Sequence, residues 1–252
     1  MICNVGMKYG RPIHMKLAIL GDIHGNIEAL RAAYDRARAL GPDRIYHLGD
    51  LGGYAPGVND VVDFLIERKV EGVQGNYDFT VATDAGHCGC KYEDPVQAEL
   101  AARSFEWTKE HATPRSREYM RNLPREIRFD AEGRRVALFH AAPHKNNLYW
   151  FEDRDEKFFL RMGKKADADI VIYGHTHKPY RKDVGGRVFI NAGSVGKPKD
   201  GDPRACFALI DISGDGVKSE FVRVPYDAEK AASAIRLSGL PPIFADKLIE
   251  AR

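Results

Sequence analysis

The sequence predicts an α/β protein with two sheets in one domain. Three observations carry that prediction. Short apolar runs alternate with amphipathic helical stretches up to Val73. A hairpin-like pair follows after Leu123, and four closely spaced strands run from Tyr180 to Val224 between glycine-rich turns. Alternating strands and helices imply a parallel sheet with right-handed crossovers.

The elements read in order as follows. Leu17 to Leu20 is a continuous apolar run closed by Gly21-Asp22, as expected of a strand buried on both faces. Asn26 caps a helix with Ile27, Leu30, Tyr34, Ala37 and Leu40 at helical spacing, and Gly41-Pro42 stops it. Ile45 to Leu48 is a second strand, Val58 to Lys69 a helix and Val70 to Val73 a third strand. Pro95 to Leu123 is helical. Ile127 to Phe129 and Val136 to Phe139 flank the Glu132-Gly133 turn. Asp153 to Lys165 is a helix and Ile170 to Tyr173 a buried strand. Tyr180–Val184, Val188–Ile190, Cys206–Ile212 and Lys218–Val224 are expected to form the second, largely antiparallel sheet. Helices near Ala228–Leu237 and Pro241–Ala251 close the chain. Residues 1–14 read as a loose leader and 15–252 as the domain.

Composition excludes several classes. With 44% hydrophobic residues there is enough apolar material to offset chain entropy, so the chain is not disordered. A net charge of +2 offers no electrostatic case for nucleic acid or an anionic membrane as partner. No apolar run reaches the length of a membrane span. The four cysteines are scattered, which predicts a reducing, cytoplasmic setting. His87-Cys88-Gly89-Cys90 is half of a thiolate metal motif, and without a second cysteine pair it reads as a loop with free thiols.

Chemistry gathers where strands end. Gly21-Asp22-Ile23-His24, Gly49-Asp50 and Gly75-Asn76-Tyr77-Asp78 each follow a predicted strand. So do His140 and Gly174-His175-Thr176-His177. The C-terminal ends of parallel strands are where open α/β folds place their sites. Oxygen and nitrogen donors without thiolate suit manganese, iron, zinc or nickel, with manganese preferred here. Any one of these residues alone reads as a turn or surface residue, but chance does not explain all of them falling at strand ends.

The five ordered blocks resemble the calcineurin-like metallophosphoesterase superfamily, over Leu17 to about Ser194. The resemblance implies a four-layer α-β-β-α sandwich of two mixed sheets flanked by helices, with two divalent metal ions at the strand ends. It implies that Asp22, His24 and His177 bind one metal, that Asn76, His140 and His175 bind the other, and that Asp50 bridges them. The implied activity is hydrolysis of phosphodiester or nucleotide substrates by a metal-bridging hydroxide, with Asp50, Asn76, Tyr77 and His140 as the catalytic set. Alternatives are a phosphomonoesterase and a non-catalytic, partner-binding protein on the same fold. Two dications, two carboxylates and a hydroxide leave one positive charge, which attracts a phosphate anion.

Departures and neighbours refine the expectation. Tyr77 stands where relatives carry histidine near the leaving group, and a phenol shuttles protons poorly at neutral pH. Gly49-Asp50-Leu51-Gly52 lacks the continuation of protein phosphatases, and the pattern instead resembles small prokaryotic phosphodiesterases and diadenosine-polyphosphate hydrolases. Gly193-Ser194-Val195-Gly196-Lys197-Pro198 is not a P-loop, although as a turn beside the site it can offer Ser194 and backbone N–H groups to phosphate. His144 is expected towards the substrate and His47 in the core. Tyr149-Trp150-Phe151 reads as core or as a stacking surface for a base.

Overall fold

The computed structural model describes residues 14–87, 89–90 and 94–252. The predicted leader thus lies outside the described residues except for His14, which already belongs to the first strand. Two five-stranded mixed sheets form the centre. The first has the order β10-β9-β1-β2-β3 and the second β4-β5-β6-β8-β7. The strands of the first are β1 (His14–Leu20), β2 (Arg44–His47), β3 (Glu71–Gly72), β9 (Ala205–Ser213) and β10 (Gly216–Val224). Those of the second are β4 (Glu126–Ala131), β5 (Arg134–Phe139), β6 (Ile170–Tyr173), β7 (Tyr180–Val184) and β8 (Arg187–Asn191).

The two-sheet reading holds, but the membership of the strands differs from expectation. Only β7 and β8 of the last four strands join the second sheet. β9 crosses back and pairs antiparallel with β1, Ala18 opposite Leu209, and β10 follows it as the edge. Strand composition does not by itself encode which partner a strand finds.

Alternation along each strand builds the layers. Leu17, Ile19, Val136, Leu138, Ile170, Ile172, Ile190 and Ile210 meet between the sheets. Ala18, Leu20, Phe207 and Leu209 face outward onto α1 (Ile27–Ala39) and α2 (Val58–Glu67). Ala137, Phe139, Val171 and Tyr173 face α6 (Glu156–Ala166) on the other side. Each fully buried Leu or Ile contributes about 1.5–3 kcal/mol, so this dry seam holds the ends of both sheets at one level.

Local signals set the helix ends. Asn26 Oδ1 accepts the N–H of Ala29 to start α1, and Asp155 does the same for Phe158 in α6. The helical middle splits into α4 (Pro95–His111) and α5 (Pro114–Asn122), each with proline in its first turn behind a capping side chain, Asp94 and Thr113. A short helix not anticipated, α3 (Asn76–Ala82), leaves β3 directly. Helices α7 (Ala228–Leu237) and α8 (Ile243–Glu250) pack on each other at the end of the chain. Among the described residues no helix is long and apolar enough to cross a membrane.

Candidate metal centre

β1, β2 and β3 run parallel, as do β5, β6 and β8, and their C-terminal ends share one edge. Asp22 and His24 follow β1, Asp50 follows β2 and Asn76 follows β3. His140 follows β5, and His175 and His177 follow β6. All seven are buried. Among the described residues two three-residue groups could hold a cation: Asp22, His24 and His177, and Asp50, His140 and His175, each with its donor atoms within 4.8 Å of one another.

Asp50 stands between the groups, one carboxylate oxygen 3.8 Å from His24 Nε2 and the other 3.6 Å from His140 Nε2. Asn76 joins the second group, its Oδ1 3.0 Å from His140 Nε2. The turns that aim these side chains are strained. Asp22, His24, Asp50, His175 and His177 all have φ between 47° and 68°, a left-handed conformation costing of order 1 kcal/mol each without a glycine.

The tautomers show what the cluster is built to hold. His24 Nδ1 lies 2.8 Å from the Gly52 carbonyl, and His177 Nδ1 lies 2.6 Å from that of Lys197. A carbonyl only accepts, so both Nδ1 atoms carry the proton and both Nε2 atoms present lone pairs. Burial holds both imidazoles well below the usual histidine range, hence neutral. Yet the two Nε2 atoms face each other at 3.1 Å. Two lone pairs at that distance repel unless a cation lies between them. The second group repeats the pattern, with His140 Nδ1 donating 2.8 Å to Leu48 O while its Nε2 faces the Asn76 oxygen and, at 3.1 Å, His175 Nδ1.

Asp22 completes the argument. Its Oδ2 accepts the His175 N–H at 2.9 Å, but its buried Oδ1 has no hydrogen-bond partner and lies 3.5 Å from His177 Nε2. An orphaned carboxylate oxygen costs of order 1–3 kcal/mol or more. Burial pushes this carboxyl up to about 7, with His140 opposing and Asp50 adding to the rise. The donor set fits divalent cations at both groups.

The remaining expected residues lie in buried packing, at the surface, beside the cluster or outside the described residues. Tyr77 is 1% exposed, its hydroxyl donating to Ser104 Oγ at 3.4 Å and its ring packing edge-on to His24. Its hydroxyl thus meets α4 while its ring stays beside the cluster, 5.6 Å from the His24 ring centre. Ser194 is also buried, its hydroxyl donating to Asp22 O at 2.7 Å and accepting the Lys197 N–H, so it ties two loops together. His144 is exposed on the Ala142–Lys145 turn. His47 is core, its Nδ1 accepting the Gly49 N–H and burial lowering it to about 3. Trp150 is core, whereas Tyr149 is half-buried with its ring centroid 4.5 Å from that of His175. Cys88 lies outside the described residues.

Three contributions were not foreseen. Asp78 accepts the N–H groups of Asp50, Leu51 and Gly75, at 2.9, 2.9 and 2.8 Å, pinning the β2 and β3 loops to each other. Asn76 Nδ2 donates to Cys90 Sγ at 3.4 Å, which turns Asn76 Oδ1 towards His140. Lys197 is buried and its ammonium sits 4.4 Å from the centre of the Tyr54 ring. The Gly-Asn-x-Asp spacing marks Asp78 in the sequence, while nothing in the sequence marks Cys90.

Two adjoining nitrogen-oxygen donor sets thus lie on the strand-end edge of a four-layer sandwich. The chain belongs to the calcineurin-like phosphoesterase superfamily, whose domain model matches residues 15–215. It is 28% identical over 253 residues to an uncharacterised protein of Methanocaldococcus jannaschii, covering 94% of this chain and 98% of that one. A metallophosphoesterase crystal structure from Sphaerobacter thermophilus superposes with a TM-score of 0.74 at 25% identity, covering 95% of this chain and all (100%) of that one. A hypothetical protein from Pyrococcus horikoshii shares the fold with a TM-score of 0.78 at 22% identity, over 92% of this chain and 97% of that one.

Proposed function

We propose that the protein is a two-metal hydrolase of phosphodiesters or nucleotides. The lone pairs of His24 and His177 facing each other at 3.1 Å carry this reading. Asp22, His24 and His177 would hold one cation, Asn76, His140 and His175 would hold the second, and Asp50 would serve both. Two divalent cations supply Lewis acidity and a nucleophile at neutral pH when bound, as in-line displacement at phosphorus requires. The chain does the positioning. Carbonyls of Gly52, Lys197 and Leu48 fix three imidazole tautomers. Asp78 fixes the loop of Asp50, and Asn76 adds a neutral ligand that keeps the site from being overcompensated. The donor set suits manganese.

The test is a substrate panel with the manganese-loaded protein: bis-p-nitrophenyl phosphate, p-nitrophenyl phosphate, cyclic nucleotides and diadenosine tetraphosphate. Metal-dependent hydrolysis, with diesters or nucleotides leading, is expected. Asp50→Asn is expected to lose one metal and to lower turnover by orders of magnitude with the fold intact. Full metal content in wild type with no hydrolysis across the panel would refute the proposal.

A further inference from the structure

Of the three consecutive aromatic residues Tyr149, Trp150 and Phe151, only the middle one is fully buried; its neighbours are half-buried. Trp150 anchors the segment. Its ring stacks on Tyr173 with centroids 4.3 Å apart and planes at 12°, and its carbonyl accepts the Tyr180 O–H at 2.7 Å. Just beyond it, Lys182 Nζ donates to the carbonyls of Glu152 and Arg154 at 2.7 and 3.0 Å. Tyr173 ends β6, the strand that leads to His175 and His177, so the segment and those two imidazoles share one support.

The flanking rings stay out of that core and stack on each other. Tyr149 and Phe151 have their planes 12° apart and their centroids at 5.9 Å, and the Tyr149 centroid is 4.5 Å from that of His175. The pair forms a row of flat apolar surface that starts beside a candidate metal ligand and leads away from it. Packing does not close the far end. Phe151 lines a cavity of about 720 Å³ together with Phe158, whose ring centre lies 5.7 and 5.4 Å from the guanidinium carbons of Arg154 and Arg161. Lys157 joins those two cations in the cavity wall, and Asp153 and Asp155 oppose them. Three positive and two negative charges nearly cancel, so the cavity has little to attract a second phosphate. Aromatic faces, guanidinium planes and carboxylates suit instead a flat, uncharged group with hydrogen-bonding edges. A nucleobase is such a group.

We infer that Tyr149 and Phe151 form a stacking subsite for the nucleobase of the substrate, with the cavity beyond Phe151 taking the polar edge of the base. This rests on the phosphoesterase reading above and narrows it from phosphate esters in general to nucleotides. Trp150 and Lys182 already hold the segment, so little ordering entropy is lost when a base stacks on it. Stacking reads the presence of a base rather than its identity.

Calorimetric titration of the manganese-loaded protein with adenosine monophosphate and with ribose phosphate tests the subsite, because the two probes share phosphate and sugar and differ in the base. Metal content is measured before and after. The nucleotide should bind about tenfold tighter, a difference of about 1.4 kcal/mol. Phe151→Leu keeps apolar bulk without the aromatic face and should cut that ratio to about twofold, whereas Phe151→Tyr retains the ring and should preserve it. Tyr149→Leu should also cut the ratio at unchanged metal content. If that variant loses metal through its contact with His175, or fails to fold, Phe151→Leu decides alone, since the Phe151 ring lies beyond Tyr149. Equal affinities for the two probes in wild type, or a ratio that survives Phe151→Leu, overturn the subsite and leave the phosphoesterase reading intact. Binding of neither probe overturns the subsite as well, and joined to an absence of hydrolysis across the ester panel it overturns both.

Discussion

Replacing Asp78 by Asn changes one atom and strikes the joint between the β2 and β3 loops. The carboxylate is fully buried and accepts three backbone N–H groups, two on Oδ2 from Asp50 and Gly75 and one on Oδ1 from Leu51. An amide offers one acceptor oxygen. Kept on the Asp50 and Gly75 side, it turns an NH2 group against the Leu51 N–H, while the other two bonds lose their charge. Hydrogen bonds to charged groups contribute about 1.5–3 kcal/mol and neutral ones about 0.5–1.5, so the direct loss is several kcal/mol. The substitution also removes a buried charge, whose desolvation raises the Asp78 pKa against the pull of those N–H groups. A net destabilisation of about 2–4 kcal/mol remains, which for a chain of this length lowers Tm by roughly 6–12 °C. Scanning calorimetry of the metal-free protein reads that shift. Manganese titration should show the site shared by Asp50 weakened at least about tenfold, because the Asp50 N–H keeps only an uncharged acceptor and the next residue, Leu51, loses its partner. A variant that melts within about 2 °C of wild type and binds both metals normally would refute the assignment of Asp78 as the pin between the loops.

Gly196→Ala places a methyl group against Ile23 O, so the loop must withdraw, and a lower Tm together with weaker metal binding at Asp22 and His24 is expected; unchanged binding by calorimetry would count against the close approach. Tyr77→Phe removes the bond to Ser104 and should cost about 0.5–1.5 kcal/mol in a thermal melt, with turnover of p-nitrophenyl esters nearly unchanged. A large loss of turnover at unchanged Tm would return Tyr77 to the chemistry. For the metal-free protein, His24, His47, His175 and His177 are all held below the free value of 6.5 by burial. The unfolded chain therefore binds more protons than the native one below about pH 6.5, and stability falls with acidification. Asp22 and Asp78 are raised and oppose this in part, so stability falls less steeply with acidification than four histidines alone would make it fall. Denaturant melts across that range check the slope, and a flat or inverted profile would contradict the neutral, buried imidazoles.

The parts of the molecule that depend on local chemistry were legible in the sequence. A buried strand closed by Gly-Asp, an Asn cap ahead of α1 and prolines opening α4 and α5 each name their own conformation. Because these ligands sit one to four residues beyond strands, knowing the strands was nearly enough to gather Asp22, Asp50, Asn76, His140 and His175 at one edge. Partner choice over long range was not legible. The return of β9 to β1 joins Ala208 with Ile19, and no pattern in either segment distinguishes that pairing from one with β8. Tyr77 shows the same limit at one residue: the motif fixes its place at the start of α3, but the available space around Ser104 and Phe105 decides where its ring goes. Lys197 was passed over because the phosphate-loop pattern around it fails, although the failing pattern still marks the right loop.

Each donor set draws from both sheets. His24 and His177 are 153 residues apart in the chain, and Asp50 and His140 meet across the seam between β2 and β5. A cation bound there is thus a rivet through two plates, and it cannot be seated until both plates are docked. Neither half of the chain contains a complete group, so metal uptake reports on sandwich assembly rather than on either sheet alone. Coordination would also bind β1 to β6 far more tightly than hydrophobic contact does, since sliding one sheet along the other by a single residue would break every imidazole contact at once. Amide exchange along Ile19, Leu138 and Ile172 should therefore slow on manganese binding although none of these residues touches the metal.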